Sequence, residues 1–290
     1  MKRFFSVLIA VLSLFIAFQH ASAVTIYGTA YGGGTGDAAL YTIDPTTGTP
    51  TLIGLTGYDR VGGIDFNPLT GILYGTGTNQ TTSQVDLITI NTMTGMATTI
   101  GYTGLTTAGN PVPTFQDISF SSNGTLYGVS EGNLYSFNLA TGAANFIGVT
   151  GLGKFGSGLA FDPSGTLYNI NGADIGTINP ATGAGTDTMT DVMYPLNLAN
   201  PRTNAMDYDL TSGILYASVH HTGANFIAQI DPTTGDVSNA RVTVDGLDGL
   251  AVFAPTPPPT NGNGVPEAFS TIWLALPLCG LLFVRRRYAS

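Results

Sequence analysis

One cysteine occurs in 290 residues, Cys279, and it lies in an apolar stretch near the C-terminus. The rest of the chain therefore has no disulfide, no thiol nucleophile and no Cys-ligated metal. Basic residues are almost as scarce. Of nine Lys and Arg, five sit at the extreme ends (Lys2, Arg3, Arg285, Arg286 and Arg287). Between residues 24 and 264 only Arg60, Lys154, Arg202 and Arg241 face 17 acids, a net charge of −13. Phosphate recognition needs clustered Lys and Arg, so nucleic acid and anionic lipid are excluded as partners of this region. Histidine is limited there to the adjacent pair His220 and His221, with no third ligand at zinc spacing. Glu131 is the one glutamate before the tail.

The two ends carry addresses rather than fold. Lys2 and Arg3 precede an apolar run from Phe4 to Phe18, and Ala21-Ser22-Ala23 is a small-residue cleavage site. Residues 1–23 read as a secretory signal peptide. At the other end, the apolar run from Phe269 to Val284 spans ~24 Å as a helix. That is a short transmembrane helix for a hydrocarbon core of ~30 Å, stopped by Arg285, Arg286 and Arg287. Between fold and tail, residues 255–264 are Pro-rich and then Gly/Asn-rich, a spacer composition.

Internal repetition organises residues 24–254. Five tyrosines, Tyr27, Tyr74, Tyr127, Tyr168 and Tyr216, recur at spacings of 47, 53, 41 and 48, four of them in "LY" hairpins such as "AFDPSGTLYNIN". A second hairpin follows each: "LYTIDPTTGTPTLIG", "LITINTMTGMATTIG", "LYSFNLATGAANFIG", "IGTINPATGAGTDTM" and "IAQIDPTTGDVSNAR". Asp44, Asn91, Asn138, Asn179 and Asp231 open these turns, with Gly four residues later. An Asx side chain bonds the backbone two residues on and Gly supplies positive φ, so the turns need no calcium. Four short strands, a to d, every 40–53 residues define a β-propeller. The region begins in a b strand ("TIYGTA") and ends in an a strand ("DGLAVFA"), so five whole units form only if both termini share one blade. The expected fold is all-β: a five-bladed β-propeller with four antiparallel strands per blade.

Two resemblances add to this. Val265-Pro266-Glu267, the apolar run and the arginine cluster together resemble the PEP-CTERM sorting signal of Gram-negative bacteria, in its VPDSG/VPE-type variant, over residues 265–290. Ala268 stands where the common form has its second proline. The resemblance implies recognition by an exosortase, a membrane protease-transpeptidase, through an inner-membrane intermediate, and a destination at the cell surface or extracellular matrix. The hairpin at 158–169 is similar to those of secreted YVTN/NHL/SMP-30-like propellers, which implies the fold and no single activity.

In a propeller of this order the d-to-a and b-to-c loops share one face. The longest d-to-a loops are 101–116 and 186–202, and Arg60, Lys154 and Arg202 stand just before a strands. Tyr58, Tyr102, Phe115, Phe155 and Tyr194 lie in the same loops. Two positions before each a-strand core residue come Gly62, Gln116, Ser157, Asn204 and Asp248. The candidate ligand face is Arg60, Gln116, Lys154, Arg202, Asn204 and Asp248, suited to an acidic glycan by guanidinium and aromatic contacts, or to a surface protein. Against it stands a plain packing role for the same residues. Asp65 and Asp207 occupy one equivalent place in two a strands, either accepting N–H bonds from the next blade or sharing a cation. The functional expectation is a non-catalytic exported propeller without cofactor. The alternative is a lactonase- or glycosidase-like hydrolase, its site built from Asp65, Asn204, Asp207 and Asp248 around calcium, or from paired acids among Asp59, Asp117 and Asp248.

Overall fold

The computed structural model describes residues 24–31, 36–106, 115–153, 157–194, 201–222 and 224–253. The segments read as signal peptide (1–23), spacer (255–264), sorting triplet (Val265-Pro266-Glu267), membrane helix (269–284) and arginine stop (Arg285, Arg286 and Arg287) lie outside the described residues.

Among the described residues, twenty strands form five four-stranded antiparallel sheets. Strands β1 (Thr25–Ala30), β2 (Ala39–Ile43) and β3 (Pro50–Leu55) belong to blade one. Blade two is β4 (Arg60–Phe66), β5 (Leu73–Thr78), β6 (Gln84–Ile90) and β7 (Ala97–Thr106). Blade three is β8 (Asp117–Phe120), β9 (Leu126–Ser130), β10 (Asn133–Phe137) and β11 (Ala144–Val149). Blade four is β12 (Ser157–Phe161), β13 (Leu167–Asn171), β14 (Asp174–Ile178) and β15 (Gly185–Asp191). Blade five is β16 (Arg202–Asp209), β17 (Ile214–His221), β18 (Ala224–Ile230) and β19 (Val237–Val242).

The last strand, β20 (Leu247–Phe253), pairs with β1 and completes blade one in the order β20-β1-β2-β3. The register is Thr25↔Phe253, Ile26↔Val252, Tyr27↔Ala251, Gly28↔Leu250 and Thr29↔Gly249. The two extremities of the domain thus share a sheet, and the inner strands β20, β4, β8, β12 and β16 neighbour one another around a closed ring. Closure removes the two bare half-blades that an open stack would expose to edge pairing.

The second hairpin of every blade forms as its sequence dictates. Thr46 N–H donates to Asp44 Oδ1 at 2.7 Å, and Met93, Ala140, Ala181 and Thr233 repeat the bond to Asn91, Asn138, Asn179 and Asp231 at 2.8–2.9 Å. Gly48 closes the first turn with φ of +77° and an N–H bond to Asp44 O at 2.7 Å. The side-chain and backbone bonds from Thr46 hold the exposed Asp44 carboxyl below its ordinary pKa, and Thr233 does the same for Asp231.

Two further rings of contacts join the blades, and neither was read from the sequence. Four of the five repeat tyrosines meet an aromatic at the end of the next inner strand: Tyr27 with Phe66, Tyr74 with Phe120, Tyr127 with Phe161 and Tyr168 with Tyr208, at centroid distances of 5.3, 5.3, 5.5 and 6.3 Å. These side chains sit in or against the apolar clusters between blades. At the outer rim, the glycine ending "TLIG" meets the turn glycine of the next blade. A Cβ on Gly54 would stand 2.1 Å from Thr94 O, and one on Gly101 2.1 Å from Thr141 O. Backbone fills that space, so no side chain fits without separating the blades. At the closing junction Arg241 takes this place, its Nε donating to Thr46 O at 2.9 Å. Arg241 is therefore a pin between blades five and one.

Candidate functional site

The axis and the mouth of the ring are the two places where polar side chains converge. Along the axis, each inner strand has a fully or nearly fully buried core residue: Ile64, Ile118, Leu159, Met206 and Leu250. Its neighbours on either side alternate away from the core and turn toward the axis. One layer is Gly63, Asp117, Gly158, Ala205 and Gly249; the other is Asp65, Ser119, Ala160, Asp207 and Ala251. Small residues dominate both, so the inner strands approach closely and the acids among them are buried.

These acids stitch the ring. Asp65 accepts its own neighbour's N–H (Phe66, 2.6 Å) and that of Phe120 in the next blade (2.6 Å). Asp207 accepts from Tyr208 (2.8 Å) and from Val252 of blade one (2.7 Å). Ser119 Oγ accepts from Phe161 at 3.1 Å. Asp117 reaches furthest: Oδ1 takes Ile118 N–H at 3.0 Å, while Oδ2 takes Leu159 N–H of blade four at 2.8 Å and Met206 N–H of blade five at 3.0 Å. Blade five lies beyond blade four, so this one carboxyl serves the junction where Ala160 offers no oxygen. Between blades one and two, where Ala251 is equally mute, Thr29 Oγ1 donates to Val61 O at 3.0 Å.

Burial pushes Asp65 up to about 7 against its N–H bonds, and pushes Asp117 and Asp207 well above the ordinary carboxylate range. Mutual repulsion among the three carboxyls when charged raises them further.

The mouth lies where inner strands begin and second strands end, as the pairs Arg60↔Thr78↔Val85 and Arg202↔His220↔Asn225 show. Three adjacent blades carry a β-bulge here. Val61/Gly63, Thr203/Ala205 and Thr29/Ala30 mark the shifts, and the extra residues are Gly62, Asn204 and Asp248. A bulge re-aims the residue it frees. Asp248 Oδ2 accepts from Arg60 Nε at 3.0 Å, Asp248 Oδ1 from Asn204 Nδ2 at 3.2 Å, and Asn204 Oδ1 from Arg202 Nε at 3.1 Å. One chain of bonds thus crosses blades two, one and five. Gln116 stands apart on blade three, its Oε1 accepting Glu131 N–H at 3.2 Å. Lys154 and Phe155 lie outside the described residues. Burial, then the charge of Arg202, holds the His220 imidazole below its ordinary value, so it stands neutral at pH 7 beside the arginines.

Several sequence expectations are corrected. Arg60 and Arg202 open strands rather than ending loops. Residues 101–106 and 186–191, read as the starts of the two long loops, are strand. The loop aromatics turn inward: Phe115 and Tyr58 are buried, the Tyr58 hydroxyl pairing with Thr99 (2.6 Å) and Asp86 (3.2 Å). Tyr194 hydroxyl donates to Gly172 O at 2.7 Å. These rings pin loops, as the packing alternative held. Among the described residues Tyr31 is an exposed aromatic at this end, 50% accessible, which the sequence reading missed because it drew its aromatics from the d-to-a loops alone. Of the groups named for the hydrolase alternative, Asp65 and Asp207 hold backbone donors on the axis, while Asn204 and Asp248 are bonded to each other at the mouth, where Asp248 pairs with Arg60. Among the described residues, no three His, Cys, Asp or Glu side chains are arranged to hold a metal ion.

Fold and site define a five-bladed β-propeller with an axis sealed by its own carboxyls and a polar, arginine-bearing mouth. No family model matches the chain, and no curated protein matches it. Its likeness to solved structures is one of fold. TolB from Acinetobacter baumannii is 13% identical with a TM-score of 0.48, over 79% of this chain and 55% of that one. A chain of the nidogen/laminin complex is 12% identical with a TM-score of 0.48, over 80% and 99%. A symmetrical protein described for its de novo evolutionary emergence is 21% identical with a TM-score of 0.46, over 78% and 93%.

Proposed function

We propose that the chain is an exported, non-catalytic propeller, sorted by an exosortase-type membrane protease and acting at the cell surface or in extracellular polysaccharide by binding through the mouth of its ring. The observation that carries the non-catalytic part is the engagement of the acids. Asp65, Asp117 and Asp207 each accept two or three backbone N–H groups, and a carboxyl so held is a poor base or nucleophile. The mouth is left as the place where exposed charge, amide and aromatic groups meet. Sorting rests on Val265-Pro266-Glu267, the apolar run and the arginine cluster.

A glycan array probed with the exported chain, with product release scored in parallel, tests the first part. Binding without turnover is expected; liberated sugar or opened lactone overturns it. Removal of residues 265–290 tests the second. Release to the medium without membrane retention is expected, and unchanged localisation overturns it.

A further inference from the structure

The two mouth arginines are held in an unusual way. Each is fixed through Nε, Arg60 by Asp248 and Arg202 by Asn204. No described residue hydrogen-bonds the terminal nitrogens of either guanidinium. Both side chains are exposed, Arg60 to 44%. A guanidinium anchored at Nε keeps its end-on edge for a planar oxyanion and loses little further entropy on binding one. One carboxylate, Asp248, is shared by the whole chain of bonds, which leaves one positive charge uncompensated among Arg60, Asp248, Asn204 and Arg202. In a region of net charge −13 this is a local exception.

Tyr31 lies beside this network. Its N–H donates to Gly246 O at 2.9 Å, which sets it at the mouth end of blade one, next to the strand start that carries Asp248. Blade one is flanked by blades two and five, which carry Arg60 and Arg202. A half-exposed tyrosine on the blade flanked by those of Arg60 and Arg202 offers a flat apolar face with a polar tip. Asn204 and Asp248 add amide and carboxylate groups suited to hydroxyls.

We propose that the mouth over blades five, one and two binds the carboxylate of an acidic sugar, with Arg60 and Arg202 receiving the oxyanion and Tyr31 receiving the sugar face. This rests on the binding reading above and narrows it to uronate-type glycans. An acidic peptide shares the carboxylate but has no pyranose ring for Tyr31.

The test uses the exported chain and three probes in titration calorimetry at low salt: trigalacturonate, its methyl ester and triglutamate. Trigalacturonate is expected to bind, and the ester about tenfold or more weaker, the worth of one charge-assisted hydrogen bond. Arg60→Gln and Arg202→Gln each lower trigalacturonate affinity by about the same factor. Tyr31→Ala lowers it severalfold and leaves triglutamate untouched. Arg60→Lys keeps the charge without the planar fork and recovers part of the loss, which separates recognition from a fold defect; circular dichroism and melting temperature confirm folding. Equal affinity for acid and ester, or indifference to both arginines, overturns the uronate assignment while leaving glycan binding standing. Triglutamate binding as tight as trigalacturonate, and blind to Tyr31, overturns it in favour of an acidic peptide. Binding of none of the three overturns it outright, and turnover of trigalacturonate instead overturns the non-catalytic reading.

Discussion

The axis and the mouth of this ring use the same residue types to opposite ends. On the axis, aspartates are buried, meet no cation among the described residues, and accept backbone N–H groups from blades other than their own. At the mouth, Asp248 meets an arginine, stays partly open at 13% exposure, and organises side chains. Solvation makes the difference. In water a carboxylate is stable without help, so the mouth pair contributes little to folding and is available for recognition. Away from water the charged form is disfavoured, so the axial carboxyls hold protons and act as clasps.

The largest expected effect comes from emptying the axis. Asp117→Ala orphans three buried N–H groups, those of Ile118, Leu159 and Met206. At ~1–3 kcal/mol for each unsatisfied donor, a loss of about 3–5 kcal/mol is expected in urea unfolding. A change below ~1 kcal/mol would mean that the ring is not stitched there.

Acidity should move the axis next. The folded-state values of Asp65, Asp117 and Asp207 are raised, so their share of stability is complete in acid below the ordinary carboxylate value and is lost as pH rises through about 7 for Asp65. Melting temperature should fall between pH 5 and 8, by an amount equivalent to a few kcal/mol. Asp207→Asn, which removes one titrating carboxyl and its repulsion of Asp65 from the buried axis, should flatten that slope. The turn acids Asp44 and Asp231 have the opposite sign: their lowered values give stability above the ordinary carboxylate range that is lost as pH falls through the folded value. A melting profile that rises from pH 5 to 8 and is unaffected by Asp207→Asn would sink this account.

Gly101→Ala probes a third region, the rim, where added atoms have no room against Thr141 O. A cost of about 1–3 kcal/mol is expected from overpacking. The same change at Gly57, where a Cβ meets nothing within 4 Å but φ is +79°, separates crowding from backbone strain. The smallest effect on stability belongs to the mouth. Arg60→Gln removes an exposed ion pair worth less than ~1 kcal/mol, so its melting curve should barely move while uronate affinity falls. A large loss of stability with unchanged affinity would assign Arg60 to the clasp rather than to recognition.

Much of the fold was legible. Alternation, "LY" spacing and the D/N-x-x-x-G turns are local patterns, and each turn is built by bonds within six residues, as Asp44 to Gly48 and Thr49 shows. Blade number and the shared blade followed from the order of the pieces, since the repeats open on the b-type segment "TIYGTA" and close on the a-type segment "DGLAVFA". The equivalence of Asp65 and Asp207, and their interblade bonding, was also within reach of aligned repeats.

The site was less so. That Asp117 skips a blade, that Arg241 fills a gap left by a missing glycine, and that loop aromatics point inward depend on distances between residues tens of positions apart. So does the bulge that puts Asp248 between Arg60 and Asn204. By itself the sequence determined the repeating sheets and their closure, because strand period, turn chemistry and strand order are properties of neighbouring residues. Tertiary structure alone decided which acids are clasps and which belong to the mouth, because that choice depends on water, and access to water is set only when all five blades close on one another.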